Sequence, residues 1–227
     1  MEITLARRFR GPRTSANGGY TCGRLAAFVG SPAVEVTLRR PPPLDVTLAV
    51  RRDEERVLLL DADELVADAR PASLVVEAPK PVGLTSAEAA QERQPRAFSP
   101  AFRECFVCGT REDGDVLGIH VGLVAGREPL HAALWVVGEP ADDLVWAAID
   151  CPGAYAVGAE GRGEVVLGRM TCRVRRVPSV GDTCVVAAWP LGEDGRKLHA
   201  GTALFAEDGE LLALARQTWI VPRATGA

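Results

Sequence analysis

The chain is poor in lysine: among 26 lysines and arginines, only Lys80 and Lys197 are lysines. Arginine takes their place beside abundant alanine, glycine and valine, which is the bias of a GC-rich genome and not a functional signal. Histidine is scarce as well, with three residues, at positions 120, 131 and 199. None stands beside a candidate nucleophile in the sequence. Aromatic residues make up 5% of the chain and the net charge is −4. No basic patch is interleaved with aromatics, which excludes an ordinary nucleic-acid-binding protein. Apolar runs are short: Val57-Leu58-Leu59-Leu60 is among the longest, far below the roughly 20 residues needed to span a bilayer. No apolar stretch follows the first basic residues, so no signal peptide is expected. The expectation is a soluble, cytoplasmic protein without a membrane or nucleic-acid partner. Its six cysteines, at 22, 105, 108, 151, 172 and 184, are expected to be reduced there.

What the sequence does have is material for a core, and similar text twice. Hydrophobic residues make up 47% of its 227 positions, a length that fits one or two domains. Val36-Thr37-Leu38-Arg39-Arg40-Pro41 reaches Asp45 after a Pro-rich bend. It is echoed by Cys172-Arg173-Val174-Arg175-Arg176-Val177, which reaches Asp182 after a Pro/Gly bend. Likewise Glu64-Leu65-Val66-Ala67-Asp68-Ala69-Arg70 is echoed by Glu210-Leu211-Leu212-Ala213-Leu214-Ala215-Arg216. The second pair of echoes lies farther apart than the first, so the second copy carries insertions. The repeat is longer than the roughly 20–50 residues of a solenoid unit. It reads as two copies of one domain-sized fold.

Residues 1–78 read as the first unit. A strand over Glu2–Phe9 leads into the turn-forming stretch Gly11 to Gly19. A helix over Tyr20–Val29 follows, stopped by Gly30-Ser31-Pro32. Val34–Arg39 alternates apolar and polar, the period-two signal of a strand, and strands continue at Asp45–Arg52, Arg56–Glu64 and Leu65–Glu77. Residues 79–97 carry several prolines and weak periodicity, and read as a linker with a short helix over Ser86–Arg93. The second unit, 98–227, repeats the order. It has a cysteine-containing turn, strands at Gly118–Leu123 and Leu130–Val137, and a helix from about Pro152. Strands at Val165–Arg176, Thr183–Pro190, Arg196–Glu207 and Glu210–Val221 complete it. Asp208-Gly209 marks a hairpin between the last two. A helix followed by antiparallel strands in each unit is an α+β pattern.

At these residues the chain resembles the hotdog-fold acyl-CoA thioesterases. The resemblance rests on a helix entered through Gly-Gly, a strand ending in Arg-Pro, a Gly-Asp bend and a closing Asp-Gly-Glu-Leu-Leu-Ala. Many members carry His-Gly-Gly at the helix entrance, where this chain has Asn17-Gly18-Gly19-Tyr20. A related subgroup carries Cys-x-x-Cys-Gly followed by a Gly-Leu strand, matched here by Cys105 to Gly109 and by Leu117-Gly118-Ile119-His120. The resemblance implies a tandem (double) hotdog, each unit an antiparallel sheet wrapped around a central helix, with up to two clefts between units at the helix entrances. It implies binding or hydrolysis of an acyl-CoA or other acyl thioester, and a homodimer or higher homo-oligomer. A degenerate acyl-CoA or lipid binder and a hotdog hydratase/dehydratase are the alternatives. The latter usually needs an Asp/His pair, and no adjacent pair occurs in this sequence.

Thioester hydrolysis needs a polarised carbonyl and an attacking water or carboxylate. Amides at a helix N-terminus can hold the developing oxyanion, and glycine allows close approach, so Gly18, Gly19 and Gly153 are candidates, or simply tight-loop residues. Asp150 is the lone carboxylate in the apolar run Val145 to Tyr155, and burial would suit it to proton transfer. It also sits where Pro152 places a helix cap. Asn17 is a candidate to bind the carbonyl or a water, or to take a left-handed turn. Tyr20, Trp146 and Tyr155 are expected to line the acyl pocket. Cys151 reads as a buried structural thiol. Cys105-x-x-Cys108 is half a zinc site or a tight turn with two buried thiols; no second pair is spaced to complete it, so neither metal nor cofactor is expected. Arg39-Arg40 and Arg175-Arg176 read as coenzyme A phosphate ligands or as exposed strand arginines.

Overall fold

Alternation in the segments that echo each other builds the centre of one large sheet. In the computed structural model, which describes residues 1–94, 99–159 and 162–223, the first half contains β1 (Glu2–Thr4), α1 (Gly18–Ala26), β2 (Val34–Leu38), β3 (Thr47–Asp53), β4 (Arg56–Asp61) and β5 (Glu64–Pro71). Next comes α2 (Leu84–Glu92). The second half contains β6 (Gly122–Leu123), β7 (His131–Val136), α3 (Asp142–Ala148), α4 (Cys151–Ala156), β8 (Val166–Val174), β9 (Thr183–Asp194), β10 (Lys197–Phe205) and β11 (Leu211–Ile220). The strands form a single antiparallel sheet in the order β1-β3-β4-β5-β2-β8-β11-β10-β9-β7-β6. The expected boundary between 97 and 98 lies outside the described residues.

Read outward from the β2–β8 junction, the order is β2-β5-β4-β3-β1 on one side and β8-β11-β10-β9-β7 on the other, where the short β6 adds one more strand at the edge. The echoes occupy matching places in it. Matching Val36 to Cys172 makes Glu35 the counterpart of Thr171, and those two residues are partners across the junction. Val36 pairs with Ala69, and their counterparts Cys172 and Ala215 also pair.

The sheet's inner face packs on α1, α3 and α4 in the main core, through residues such as Leu25, Val36, Trp146, Met170 and Trp219. Its other face is covered over the second half by residues 74–90. Val82, Ala87 and Ala90 pack with Val185, Ala187, Ala203, Phe205 and Leu214. The part of the expected linker up to Gln91 is therefore a packed strap, and Gln91 Oε1 accepts from the Leu134 amide at 2.8 Å. Burial on both faces explains why β9 and β10 read as nearly continuous apolar runs.

The strand expected over Glu2–Phe9 stops at Thr4, with a 3-10 turn over Arg7–Phe9, and the one expected over Leu65–Glu77 stops at Pro71. Three further elements shift for physical reasons. The first helix begins two residues early because Asn17 caps it, and it tightens after Ala26, where Phe28 and Val29 donate to Leu25 and Ala26. The expected strand over Gly118–Leu123 shrinks to Gly122–Leu123. Residues upstream are held instead against the cysteine turn, with Leu117 N on Phe106 O at 2.8 Å and Ile119 N on Val107 O at 3.0 Å. The helix expected from Pro152 is preceded by an unexpected one, α3, whose first turn carries Asp142 and Asp143, as the helix dipole favours. Pro152 has no amide to continue α3, so the helix breaks at Ile149 and Asp150.

Gln217 on β11 closes that break. It is fully buried, and its Nε2 donates to Ile149 O at 2.6 Å and to Asp150 O at 3.3 Å. Its Oε1 accepts from Trp219 Nε1 at 2.8 Å. Gln217→Leu keeps the bulk and strands these buried groups, each costing about 1–3 kcal/mol. The expected loss is about 2–4 kcal/mol in urea unfolding; an unchanged midpoint and slope would show that the break does not depend on Gln217.

Candidate functional site

The amino end of α1 and the α3–α4 break meet around one carboxylate. Asn17 has extended backbone, and its Oδ1 accepts from Tyr20 N at 2.8 Å, a side-chain N-cap. Its Nδ2 donates to Asp150 Oδ2 at 2.9 Å, and Gly19 N donates to the same oxygen at 2.9 Å. Asp150 thus occupies the cap position of α4 without capping it; its side chain reaches α1 instead. Its other oxygen, Oδ1, is buried and has no hydrogen bond. Asp150 is 2% exposed. Burial pushes its carboxyl up from 3.8 to about 7, against the opposing pull of the Gly19 and Asn17 donors.

Glycine permits this approach. A Cβ on Gly19 would collide with Asp150 Cβ and lie 2.6 Å from Trp146 O. One turn on, a Cβ on Gly23 would lie 2.6 Å from Asp143 Cα. The two glycines form the face of α1 that lies on α3.

Beside the carboxylate are three thiols. Cys105 Sγ and Cys151 Sγ are 3.6 Å apart, and with Cys108 Sγ they all lie within 4.8 Å of one another. Val107 N donates to Cys105 Sγ at 3.4 Å. Asn17 Nδ2 is 3.9 Å from Cys105 Sγ and 3.8 Å from Cys151 Sγ. Hydrogen bonds from the thiols of Cys108 and Cys151 hold Cys105 below the usual thiol range, and the same bonds push those two upward.

A cavity of about 400 Å³ opens beside Asn17, Gly18, Asp150 and Cys151. Leu38, Phe102, Val166, Leu167, Trp219 and Ile220 supply most of its apolar wall. Gly18 is the first residue of α1, so its amide has no intrahelical acceptor, and it borders the cavity. Arg39 and Arg40 stand on the rim, but both are ion-paired. Arg39 Nε meets Asp68 Oδ2 at 2.6 Å, and Arg40 binds Asp61 at 2.7 Å and Glu64.

Of the expected site residues, the fold brings Asn17, Gly18, Gly19 and Asp150 together. The others go elsewhere. The Gly19 amide serves Asp150 and is not available to an oxyanion. Gly153 is a packing residue: its amide donates to Asp150 O at 3.0 Å, and a Cβ there would collide with Gln217 Oε1. Tyr20 stacks on Phe9 with centroids 4.0 Å apart. Trp146 faces a separate hollow with Ala26 and Cys172. Tyr155 stands beside Cys108 and borders a hollow with His131. The three expected wall aromatics are thus absent from the cavity lining. Its wall comes instead from β2, β8 and β11, whose alternation was the only signal that could have identified Leu38, Leu167 and Trp219. His120, expected on a strand, lies outside any strand and contacts Cys108 O at 3.1 Å.

No protein-family model and no curated protein matches the sequence. Solved structures do match over nearly the whole chain. A protein designated a thioesterase, from Novosphingobium aromaticivorans, aligns with TM-score 0.65 at 15% identity, over 98% of this chain and 95% of its own. A protein of unknown function with a hotdog fold, from Alicyclobacillus acidocaldarius, aligns with TM-score 0.59 at 14% identity, over 99% and 93%. The dehydratase domain of a mycocerosic acid synthase-like polyketide synthase aligns with TM-score 0.62 at 13% identity, over 98% and 90%. The chain has the hotdog fold. No helix among the described residues is long and apolar enough to cross a membrane.

The glycine contact has a direct consequence. Gly19→Ala must push α1 off Asp150 and the Trp146 carbonyl. The expected cost is about 1–3 kcal/mol, typical of overpacking, measured as a fall in unfolding free energy. A variant as stable as the parent would show that this approach is not tight.

Proposed function

We propose that this chain is a tandem of two hotdog units and hydrolyses an acyl thioester at the carboxylate where α1 meets the α3–α4 break. The tandem reading is supported by the matching strand order on either side of the β2–β8 junction and by the paired echoes. The hydrolase reading rests on one observation above the rest: Asp150 presents one oxygen fixed by Gly19 and Asn17 and a second, Oδ1, without a partner, at the edge of an apolar cavity.

In this reading the acyl chain lies along Leu38, Leu167 and Trp219, with its carbonyl at the start of α1. The Gly18 amide and the positive end of the helix dipole polarise the carbonyl oxygen. Asp150 Oδ1 takes a proton from water as the water oxygen bonds the carbonyl carbon. The C–S bond then breaks and its electron pair goes to sulfur, which takes back the proton from Asp150 Oδ1, giving a carboxylic acid and a thiol and restoring the carboxylate. Asn17 positions Asp150. Arg39 and Arg40 are already matched by carboxylates, so no phosphate contact is assigned to them.

A non-catalytic acyl-thioester binder is the second reading, favoured by how little of Asp150 solvent reaches. The dehydratase reading has less support, because no histidine borders the cavity.

The test is hydrolysis of short, medium, long and aromatic acyl-CoAs, followed as free thiol. Asp150→Asn retains an oxygen for Gly19 and Asn17 but cannot act as a base. Its expected rate is about 10²–10⁴-fold lower, with the melting temperature kept. Unchanged turnover in that variant would sink the assignment of Asp150. No turnover by the parent chain, with acyl-CoA still raising its melting temperature, would leave the binder.

A further inference from the structure

We propose that Cys105, Cys108 and Cys151 form a zinc-binding site beside the α1 amino end, a role independent of any thioester chemistry. Cys105-x-x-Cys108 offers half a site in the sequence. The fold adds Cys151 from the first turn of α4, and the three sulfurs lie within 4.8 Å of one another. Among the described residues this is the one such group of metal-ligating side chains.

The spacing suits an ion. Two thiolates at about 2.3 Å from a tetrahedral zinc lie roughly 3.8 Å apart, and Cys105 and Cys151 are 3.6 Å apart. A disulfide would bring the sulfurs to about 2.05 Å.

Hydrogen-bond donors reach two of the three sulfurs. Metal binding needs deprotonated sulfur, and donors are aimed at it: Val107 N at 3.4 Å from Cys105 Sγ, and Asn17 Nδ2 at 3.9 and 3.8 Å from Cys105 and Cys151. The turn is itself locked, with Gly109 N donating to Cys105 O at 2.8 Å. A Cβ on Gly109 would collide with that carbonyl, so the turn requires glycine after Cys108. Asn17 cannot swing away, because Tyr20 N holds its Oδ1. Support of this kind is what orients ligands in metal sites.

Three buried thiolates select a soft ion over magnesium, calcium or manganese. They leave one tetrahedral position, which a water can fill. Asp150 precedes Cys151 in the chain, and its Oδ1 is buried without a hydrogen bond. The ligand group itself is the three sulfurs, and the Asp150 carboxylate is not part of it.

The experiment uses the full chain purified with reductant, its zinc content measured by elemental mass spectrometry after dialysis. Zinc is then replaced by cobalt(II), and the visible spectrum recorded. One zinc per chain and the intense bands of tetrahedral thiolate-bound cobalt are expected. Both should be lost in Cys108→Ser and Cys151→Ser and kept in Cys22→Ser and Cys172→Ser, two cysteines equally buried outside the cluster. If the cluster variants do not fold, the parent decides: zinc added to chelator-stripped protein must raise its melting temperature. A parent that retains no zinc and shows no such rise overturns the proposal. So does undiminished zinc in folded Cys108→Ser and Cys151→Ser, or a Cys105–Cys151 disulfide in protein that takes up no zinc.

Discussion

The structure turns on one hydrogen-bonded contact, the Asp150 carboxylate against the amino end of α1. A carboxylate this buried is costly unless donors meet it, and hydrogen bonds to a charged group are worth about 1.5–3 kcal/mol each. Asp150 Oδ2 has two, from Gly19 N and Asn17 Nδ2. The same bonds serve α1, which begins with amides that no helical carbonyl can reach. Asn17 covers Tyr20 N and Asp150 covers Gly19 N. One acid thereby satisfies the start of a helix from another part of the chain and is itself held in place.

That contact constrains the packing around it. The helices approach closely only because Gly19 and Gly23 present no side chain to α3. Asp150 reaches across only because Pro152 breaks the helix and turns the chain there. The break is tolerated because Gln217, on β11, accepts the task of bonding Ile149 O and Asp150 O. A sheet residue, a helix break and a helix start are thus linked through hydrogen bonds with little slack. The cavity takes Leu38, Leu167 and Trp219 from the same sheet, so strand register sets where these side chains stand relative to Asp150, and the loop before α1 and Phe102 close the rest of the lining.

Much of the frame was legible in the sequence because it is written in local patterns. Alternation marked β2, apolar and turn-bounded runs marked β8 to β11, and the echoes matched the segments of β2 and β5 to those of β8 and β11, which pair alike in the sheet. The entrance Asn17-Gly18-Gly19 and the lone acid Asp150 also stood out, one by turn chemistry and the other by its apolar surroundings. What the sequence could not disclose is how distant segments meet. Asp150 looked like the cap of its own helix, and nothing local says that it caps α1. Cys151 looked like an isolated thiol, because its closeness to Cys105 exists only in three dimensions. The aromatic wall was misjudged for the same reason. Tyr20 and Trp146 sit near the key residues in sequence, but helical geometry turns them to other faces, toward Phe9 and Cys172.

The two ends of the α1–α3 contact differ in a way that bears on chemistry. At the far end Arg24 Nε meets Asp143 Oδ2 at 3.6 Å, with side chains 31% and 24% exposed. Burial pushes the Asp143 carboxyl up from its ordinary value, and the Arg24 guanidinium opposes that shift, so its anion has a charged partner to match it. At the near end Asp150 faces only neutral donors, and one oxygen has none. Its charge is stabilised by dipoles alone, so gaining a proton does not break an ion pair. α1 carries no carboxylate of its own, so both acids at this contact come from α3 and the break that follows it. The asymmetry therefore lies in what faces each acid, a guanidinium at one end and neutral donors at the other.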